Sequence, residues 1–465
     1  MDFKNKKVSI LGLARSGKAL ARALSRKGAH ILVSDVKTSS ALTDVMKELS
    51  GLNLEWETGG HTDRIYKNRD IIIISPGISI YTPILQEAME KGVPVVSEVE
   101  IAFLLTDASF IAVTGTNGKS TTSTLIHQSL INSGKNAYLA GNIGIPLVGE
   151  VEKIPPGGWI TAEISSFQLE AVERFHPHIA VLLNITNDHI DRHGSFEKYR
   201  NAKANLFNCQ VKNDFAVLNA DDPSTELLTP RIKSKKLYFS RTRPVKEGAY
   251  FEDGKIIFAD GSHKKAIFSW ARFPLQGVHN IENTLAAACV CHIVGIDFIH
   301  LRNALESFRP LHYRMEFVAE IDKVQFYNDS KGTNPDAVRA SLESFNEPVI
   351  LIAGGTDKGL DFMPLAKKIQ KYAHGVVLIG ESREKIARAL EHIGFTNYAV
   401  NNDLSLNGFN NAIQQSFQLS PRPGVVLLSP SCASFDMFNN AEHRGAVFNQ
   451  FVKEMKQDHE RTQKV

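Results

Sequence analysis

Residues 110–122 read FIAVTGTNGKSTT: an apolar, β-branched run, a glycine-rich turn, and a string of small polar residues. A turn of this kind aims successive backbone N–H groups at phosphate oxygens, and the N-terminus of a following helix favours anions. Thr114, Gly115, Thr116, Asn117, Gly118, Lys119, Ser120 and Thr121 are therefore read as a cradle for the phosphates of ATP. Lys119 would reach the terminal phosphates, and Ser120 would present its hydroxyl to Mg²⁺. The usual spacing puts glycine where Val113 stands; here the first glycine is Gly115, so the loop is a variant. The competing reading is a glycine-rich surface turn whose lysine is merely solvated.

An ATP-dependent reaction also needs hard oxygen ligands for its metal and a nucleophile held in line. Glu163 closes an apolar run, 159–164, just ahead of Ser165-Ser166-Phe167-Gln168. Strand ends in α/β sheets are where ligands gather. A dense polar cluster, 184–191, follows another apolar run. There Asp188 and His189 read equally well as functional groups and as a helix cap beside a surface imidazole. Lys203, by spacing alone, is a solvated helix lysine. Three more polar loops, 328–335, 353–358 and 429–434, each follow a short β-rich run. Loops that follow strands of one sheet converge on one edge, which is the geometry of a site; the alternative is three ordinary connections. Lys331 and Lys358 sit among small residues in two of these loops, an arrangement suited to anions.

These groups need scaffolds to hold them. A chain of 465 residues exceeds a single core and predicts about three domains. Alternating strand and helix patterns predict an α/β protein. A Rossmann-like domain would span 1–98, a central P-loop ATPase-type domain with a mixed sheet 99–310, and a C-terminal Rossmann-like α/β domain 311–465. In the first, Gly12-x-x-x-x-Gly17 follows an apolar strand, and a second strand ends at Asp35. That pattern suits a nucleotide diphosphate better than a redox dinucleotide; a tight turn without a ligand is the alternative. The run 70–75, four isoleucines between Asp70 and Ser75, predicts a strand buried on both faces. Residues 230–275 alternate like a small antiparallel element, 280–294 read as a buried helix, and the charged tail beyond Val452 as a fraying helix end. With 53 basic and 50 acidic residues, no nucleic-acid partner is expected. Four cysteines without a C-x-x-C pair predict free thiols in a reducing cytoplasm. No apolar run approaches the roughly 20 residues that a membrane span needs, so no membrane insertion is expected.

Seven strings stand in order along the chain: TGTNGKST (114–121), AEISSFQLE (162–170), NITNDHIDRH (184–193), GVHNIENTLAA (277–287), HYRME (312–316), NDSKGTNPDA (328–337) and SPSCASFDMF (429–438). Together they resemble the Mur ligase family, from the first βα turn to near residue 450. The SPSCASFD loop and the NDSKGTN run resemble the D-glutamate-adding members in particular. The resemblance implies a cytoplasmic, monomeric enzyme of peptidoglycan precursor synthesis. Its substrates would be ATP, UDP-N-acetylmuramoyl-L-alanine and D-glutamate, joined through an acyl phosphate with release of ADP and phosphate. Gly12, Arg15, Ser16, Gly17, Asp35 and Ser75 would hold the UDP part, and Asn142 the muramoyl or L-alanyl part. Asn283, Arg314 and Asp329 would join the phosphate loop in binding ATP. Ser120, Glu163, His189 and Lys203, the last as a carbamate, would serve two Mg²⁺ sites. Lys331, Thr333, Lys358, Ser434 and Phe435 would surround D-glutamate. The implied catalytic set is Lys119, Glu163, His189, Lys203 and Lys331. Two departures stand out: Val36-Lys37 where some relatives have Thr-Arg, and Ala441 where some have Phe. A folylpolyglutamate synthase-like ligase and a non-catalytic P-loop nucleotide-binding protein are the rival readings.

Overall fold

The computed structural model describes residues 2–142, 144–272, 278–309, 312–357, 359 and 361–462. Within them, strands and helices alternate and build three sheets. The first holds β1 (Lys7–Leu11), β2 (His30–Asp35), β3 (Leu54–Thr58), β4 (Ile71–Ile74) and β5 (Val95–Ser97), all parallel, in the order β3-β2-β1-β4-β5. As its uniformly apolar sequence predicts, β4 is buried along its whole length between two neighbours.

The second sheet runs β14-β13-β12-β11-β10-β9-β6-β8-β7. Its strands are β6 (Ser109–Thr114), β7 (Ala137–Gly141), β8 (Trp159–Glu163), β9 (Ile179–Leu182), β10 (Phe215–Asn219), β11 (Lys235–Ser240), β12 (Glu247–Glu252), β13 (Lys255–Asp260) and β14 (His263–Ser269). Because β6 lies between β8 and β9, the loop that follows it emerges at the middle of the sheet. The third sheet runs β15-β16-β20-β17-β18-β19. It comprises β15 (Glu316–Ile321), β16 (Val324–Asn328), β17 (Val349–Gly354), β18 (Gly375–Ile379), β19 (Tyr398–Val400) and β20 (Gly424–Leu428). Only β15 is antiparallel to its neighbour. Residues 1–187, 192–273 and 281–307 form one compact unit carrying the first two sheets; residues 188–191, 274–280 and 308–465 form a second carrying the third.

Three expectations are revised in detail. Residues 7–13 read as a strand and 18–27 as a helix, but β1 stops at Leu11 and the next helix already begins at Arg15, because two glycines fold the chain tightly there. Gly12 takes φ +83°, and a Cβ on Gly17 would stand 1.9 Å from the Gly12 carbonyl oxygen. The 230–275 element is not wholly antiparallel: β11 pairs parallel with β12, and only β12, β13 and β14 pair antiparallel. Its period-two alternation marks half-buried strands but says nothing of their direction. The tail is one helix, Ala441–Thr462, because Val447, Phe448, Phe451, Val452 and Met455 recur at helical spacing and pack on the third sheet's core.

A buried carboxyl group ties the first two sheets together. Glu98, in the helix Glu98–Leu104 that follows β5, accepts the Val148 N–H at 2.8 Å. Burial pushes its carboxyl up to about 7, against the opposing pull of the Val148 N–H and the Gln168 side chain. From the ordinary value of 4.5 up to about 7, the folded state therefore binds more protons here than the unfolded chain. Stability falls as pH rises through that window, by on the order of 3 kcal/mol from this group. Glu98→Gln keeps an acceptor for Val148 but cannot ionise. Its melting temperature is expected to exceed the wild type's at about pH 8 and to approach it at about pH 5; equal values at the higher pH would contradict this account.

Candidate functional site

The loop after β6 is held in shape from several sides. Thr114 Oγ1 donates to the Ile164 carbonyl (2.8 Å), and Thr116 N–H to the Asn184 carbonyl (2.8 Å). Asn184 clasps Asn117 through its side chain, accepting the Asn117 N–H (2.8 Å) and donating to its carbonyl (3.2 Å). Gly118 is left-handed at φ +85° and caps the helix Lys119–Asn132. A Cβ there would stand 2.2 Å from Asn283 Oδ1, the same atom that accepts from Thr122 Oγ1 at 3.1 Å. Any other residue at 118 would displace Asn283, so the glycine is fixed by sterics as well as by backbone angle. The result is a helix N-terminus presented by a rigid turn, the arrangement that binds phosphate. Lys119 Nζ lies across the turn, donating to the carbonyls of Gly115 (2.9 Å) and Thr116 (2.8 Å).

Around this loop stand the groups that suit a cation. Ser120 is buried in the helix's first turn. Glu163 ends β8 and is 2% exposed; its Oε1 accepts from Asn142 Nδ2 at 2.8 Å, while its Oε2 is buried without a hydrogen-bond partner among the described residues. A buried carboxylate oxygen left this way is costly unless a ligand completes it. A hydroxyl and a carboxylate beside a phosphate cradle are hard oxygen donors, and Mg²⁺ takes few protein ligands where substrate phosphates supply the rest. The residues therefore fit the metal, although among the described residues no group of three or more His, Cys, Asp or Glu side chains is arranged to hold one.

Lys203 is not the solvated lysine that its spacing predicts. It is 1% exposed, donates to the Gly115 carbonyl at 2.8 Å, and lies 4.7 Å from the Tyr199 ring centroid. Lys119 donates to that same carbonyl.

The candidate UDP residues gather at the C-terminal ends of β1, β2 and β4. Asp35 accepts the N–H groups of Leu13 (2.8 Å) and Lys37 (2.9 Å), and Ser75 Oγ donates to the Gly12 carbonyl (2.9 Å). Gly12 and Gly17 shape the turn, and Arg15 and Ser16 open its helix. Arg192 donates to the carbonyls of Pro76 (2.8 Å) and Ile78 (3.0 Å), tying the loop after β4 to the second sheet's polar loop.

In the second unit, the loops after β16, β20 and β17 come together as expected, because those strands are neighbours. Ser431 N–H donates to the Gly332 carbonyl (2.8 Å), Gly354 N–H to Pro430 (2.8 Å), and Thr356 N–H to Ala433 (2.9 Å). Asp329 is buried and accepts from the hydroxyls of Ser429 and Ser341, both at 2.7 Å. Burial raises its carboxyl above the usual range, with the two serines and the Arg314 charge pulling the other way. Lys331 pairs with Glu442 at 3.2 Å, Thr333 is half-buried, Ser434 is buried and Phe435 is 73% exposed. His189 adopts φ +54°, donates its N–H to Asp188 Oδ1 at 2.9 Å, and has Nε2 3.6 Å from Asp188 Oδ2. Asp188 Oδ1 thus braces the His189 turn, while its Oδ2 accepts from Asn334 Nδ2 at 3.2 Å. Lys358 lies outside the described residues.

Three family domains match in chain order: the Mur ligase MurD-like N-terminal domain over residues 6–97, the Mur ligase middle domain over 113–291, and the Mur ligase glutamate ligase domain over 313–432. A Pelotomaculum thermopropionicum protein named UDP-N-acetylmuramoylalanine–D-glutamate ligase is 41% identical over 456 residues, 98% of this chain and 99% of its own. The chain belongs to the Mur ligase family. An Acidobacterium capsulatum protein of the same name is also 41% identical, over 455 residues and 97% of each chain. Among solved structures, a pseudomurein peptide ligase type C from Methanothermus fervidus has TM-score 0.62 at 20% identity, covering 97% of this chain and 100% of its own. The MurC UDP-N-acetylmuramate-alanine ligase of Thermotoga maritima has TM-score 0.60 at 19% identity, covering 97% and 99%. At such identities the likeness is one of fold.

Within this Mur ligase, the sequence strings located the phosphate loop and Glu163 but assigned nothing to Asn184, Thr122 or Tyr199, whose hydroxyl lies 3.0 Å from Thr116 Oγ1. Asn184 begins the 184–193 string, yet its grip on Asn117 depends on β9 lying beside β6, which only the sheet order reveals.

Proposed function

We propose that this Mur ligase joins D-glutamate to UDP-N-acetylmuramoyl-L-alanine at the expense of ATP, as the relatives' name describes. The observation that carries the reading is the end-to-end match to ligases of that name, at 41% identity over 98% of the chain, with the phosphate loop intact. The 6–97 match to a MurD-like N-terminal domain argues against a folylpolyglutamate synthase, whose phosphate loop has no such domain before it.

The first step joins the substrate's terminal carboxylate oxygen to the γ-phosphorus of ATP as the bond to ADP breaks. The D-glutamate amine then attacks the acyl carbon, loses a proton, and expels phosphate as the amide closes. Both reacting partners of the first step are anions, so positive charge must be supplied where they meet. Lys119 would swing from its carbonyl contacts to the terminal phosphates. Ser120, Glu163 and His189 would hold Mg²⁺, which when bound neutralises phosphate charge and orients the transferring group. Lys203 would join them as a carbamate, formed when its neutral amine adds carbon dioxide and releases a proton. Its burial against the Gly115 carbonyl of the phosphate loop supports this reading. Asn142 would orient Glu163 and meet the muramoyl or L-alanyl group. Asn283, Arg314 and Asp329 would contact the nucleotide. Lys331, Thr333, Lys358, Ser434 and Phe435 would line the D-glutamate pocket. The domains are proposed at 1–98, 99–310 and 311–465, and the enzyme as a cytoplasmic monomer; no helix among the described residues is long and apolar enough to cross a membrane.

Incubation with ATP, Mg²⁺, UDP-N-acetylmuramoyl-L-alanine and single amino acids tests the reading. Phosphate release is expected with D-glutamate and not with L-glutamate. Release that needs a folate and L-glutamate, or that ignores the acceptor, would defeat it.

A further inference from the structure

Arg444 belongs to none of the sequence strings, yet it is 1% exposed and sits where the three loops of the third sheet meet. Its Nε donates to Ser330 Oγ (3.0 Å), its Nη2 to the carbonyls of Ser330 (2.8 Å) and Cys432 (3.1 Å), and its Nη1 to the Ala433 carbonyl (3.3 Å). These acceptors belong to the loops after β16 and β20, which carry Lys331, Thr333 and Ser434. The third loop presses on the same group: a Cβ on Gly355 would stand 3.3 Å from Nη1 and 2.2 Å from the Ala433 carbonyl oxygen. Every direct acceptor is neutral. Burial lowers the guanidinium to about 10, with Cys432, Asp436 and Asp329 acting in the opposite sense, so it stays charged at neutral pH.

Burying a guanidinium against neutral oxygens is expensive, and a neutral side chain of similar volume would fill the space at lower cost. What a planar fork adds is geometry, because its donors fix the relative positions of the groups they bind. It also places a permanent positive charge beneath loops proposed to receive an anion. We infer that Arg444 is the positioning residue that holds these loops in register and so sets the enzyme's affinity for an α-amino dicarboxylate. This rests on the D-glutamate reading above.

The test begins with wild-type enzyme, whose D-glutamate-dependent phosphate release must first be seen; its failure would count against the proposed function and not against Arg444. Arg444→Lys keeps the charge and loses the fork. It is expected to raise KM for D-glutamate about 10-fold or more, as slight misplacement of binding groups does. KM for the UDP substrate should stay within about threefold, since none of its proposed contacts is a partner of Arg444, and KM for ATP, whose proposed contact Asp329 adjoins Ser330, should rise less than that for D-glutamate. Arg444→Ala should show the same selective loss and recover in part with millimolar guanidinium. If these variants do not fold, Ser330→Ala removes one of the four contacts and should give a smaller rise in the same KM. A wild-type KM for D-glutamate in a folded Arg444→Lys or Ser330→Ala enzyme would overturn the inference. So would an equal loss for all three substrates.

Discussion

Glu163→Gln is expected to lower kcat by about 10²- to 10³-fold, the scale seen when one preorganised charge is removed from a reacting centre. The substitution is nearly isosteric. Its amide oxygen can still accept from Asn142 Nδ2, the contact that Glu163 Oε1 makes at 2.8 Å. What disappears is the negative charge, and with it the second oxygen that is buried without a hydrogen-bond partner among the described residues. If that oxygen is completed by a cation, Gln turns a strong ligand into a weak one, and raising Mg²⁺ should recover part of the rate. If Glu163 only braces Asn142, the variant should keep most of its activity. Steady-state phosphate release over a Mg²⁺ series, beside thermal melts, separates the two. More than about half the wild-type rate at limiting Mg²⁺ would remove Glu163 from the metal site, because loss of a charged ligand cannot be so mild.

Lys203→Ala is expected to be comparably severe and, unlike Glu163→Gln, partly reversible. The side chain is 1% exposed and donates to Gly115, so its removal leaves a cavity beneath the phosphate loop. Cavity formation alone would lower stability and activity together, and no added anion would repair it. A missing carbamate predicts something different. Acetate or another short carboxylate, entering the space left by the stem, should restore a fraction of kcat without raising the melting temperature to the wild-type value. Bicarbonate should help the wild type but not Lys203→Arg, whose guanidinium does not form a carbamate. A fully active Ala variant would make Lys203 an inert buried lysine.

The parts of this molecule that were legible beforehand are those in which sequence neighbours act together. The phosphate loop is one strand, one turn and one helix in 13 consecutive residues, 110–122, so the local pattern specifies its shape. The loops after β16, β20 and β17 were also expected to converge, since each follows a strand of one sheet. What stayed hidden depends on distant partners. Gly118 needs to be glycine partly because Asn283 packs against it, 165 positions away by number and adjacent in space. Lys203 reads as an ordinary surface lysine until the fold buries it against Tyr199 and Gly115. Arg444 is separated from Ser330 by 114 positions and stands outside every one of the seven strings. Strand direction in 235–252 was likewise invisible, because alternation is the same for parallel and antiparallel neighbours.

The central claim is that this chain forms an amide between UDP-N-acetylmuramoyl-L-alanine and D-glutamate, with ATP as the driving reactant. Mass analysis of the UDP-linked product, with ADP and phosphate measured in the same reaction, tests it most directly. The account predicts one new species, heavier than the substrate by D-glutamate less water, formed with one ADP and one phosphate and absent when L-glutamate replaces D-glutamate. Consumption of ATP with no such species, or an equal yield from L-glutamate, would contradict it.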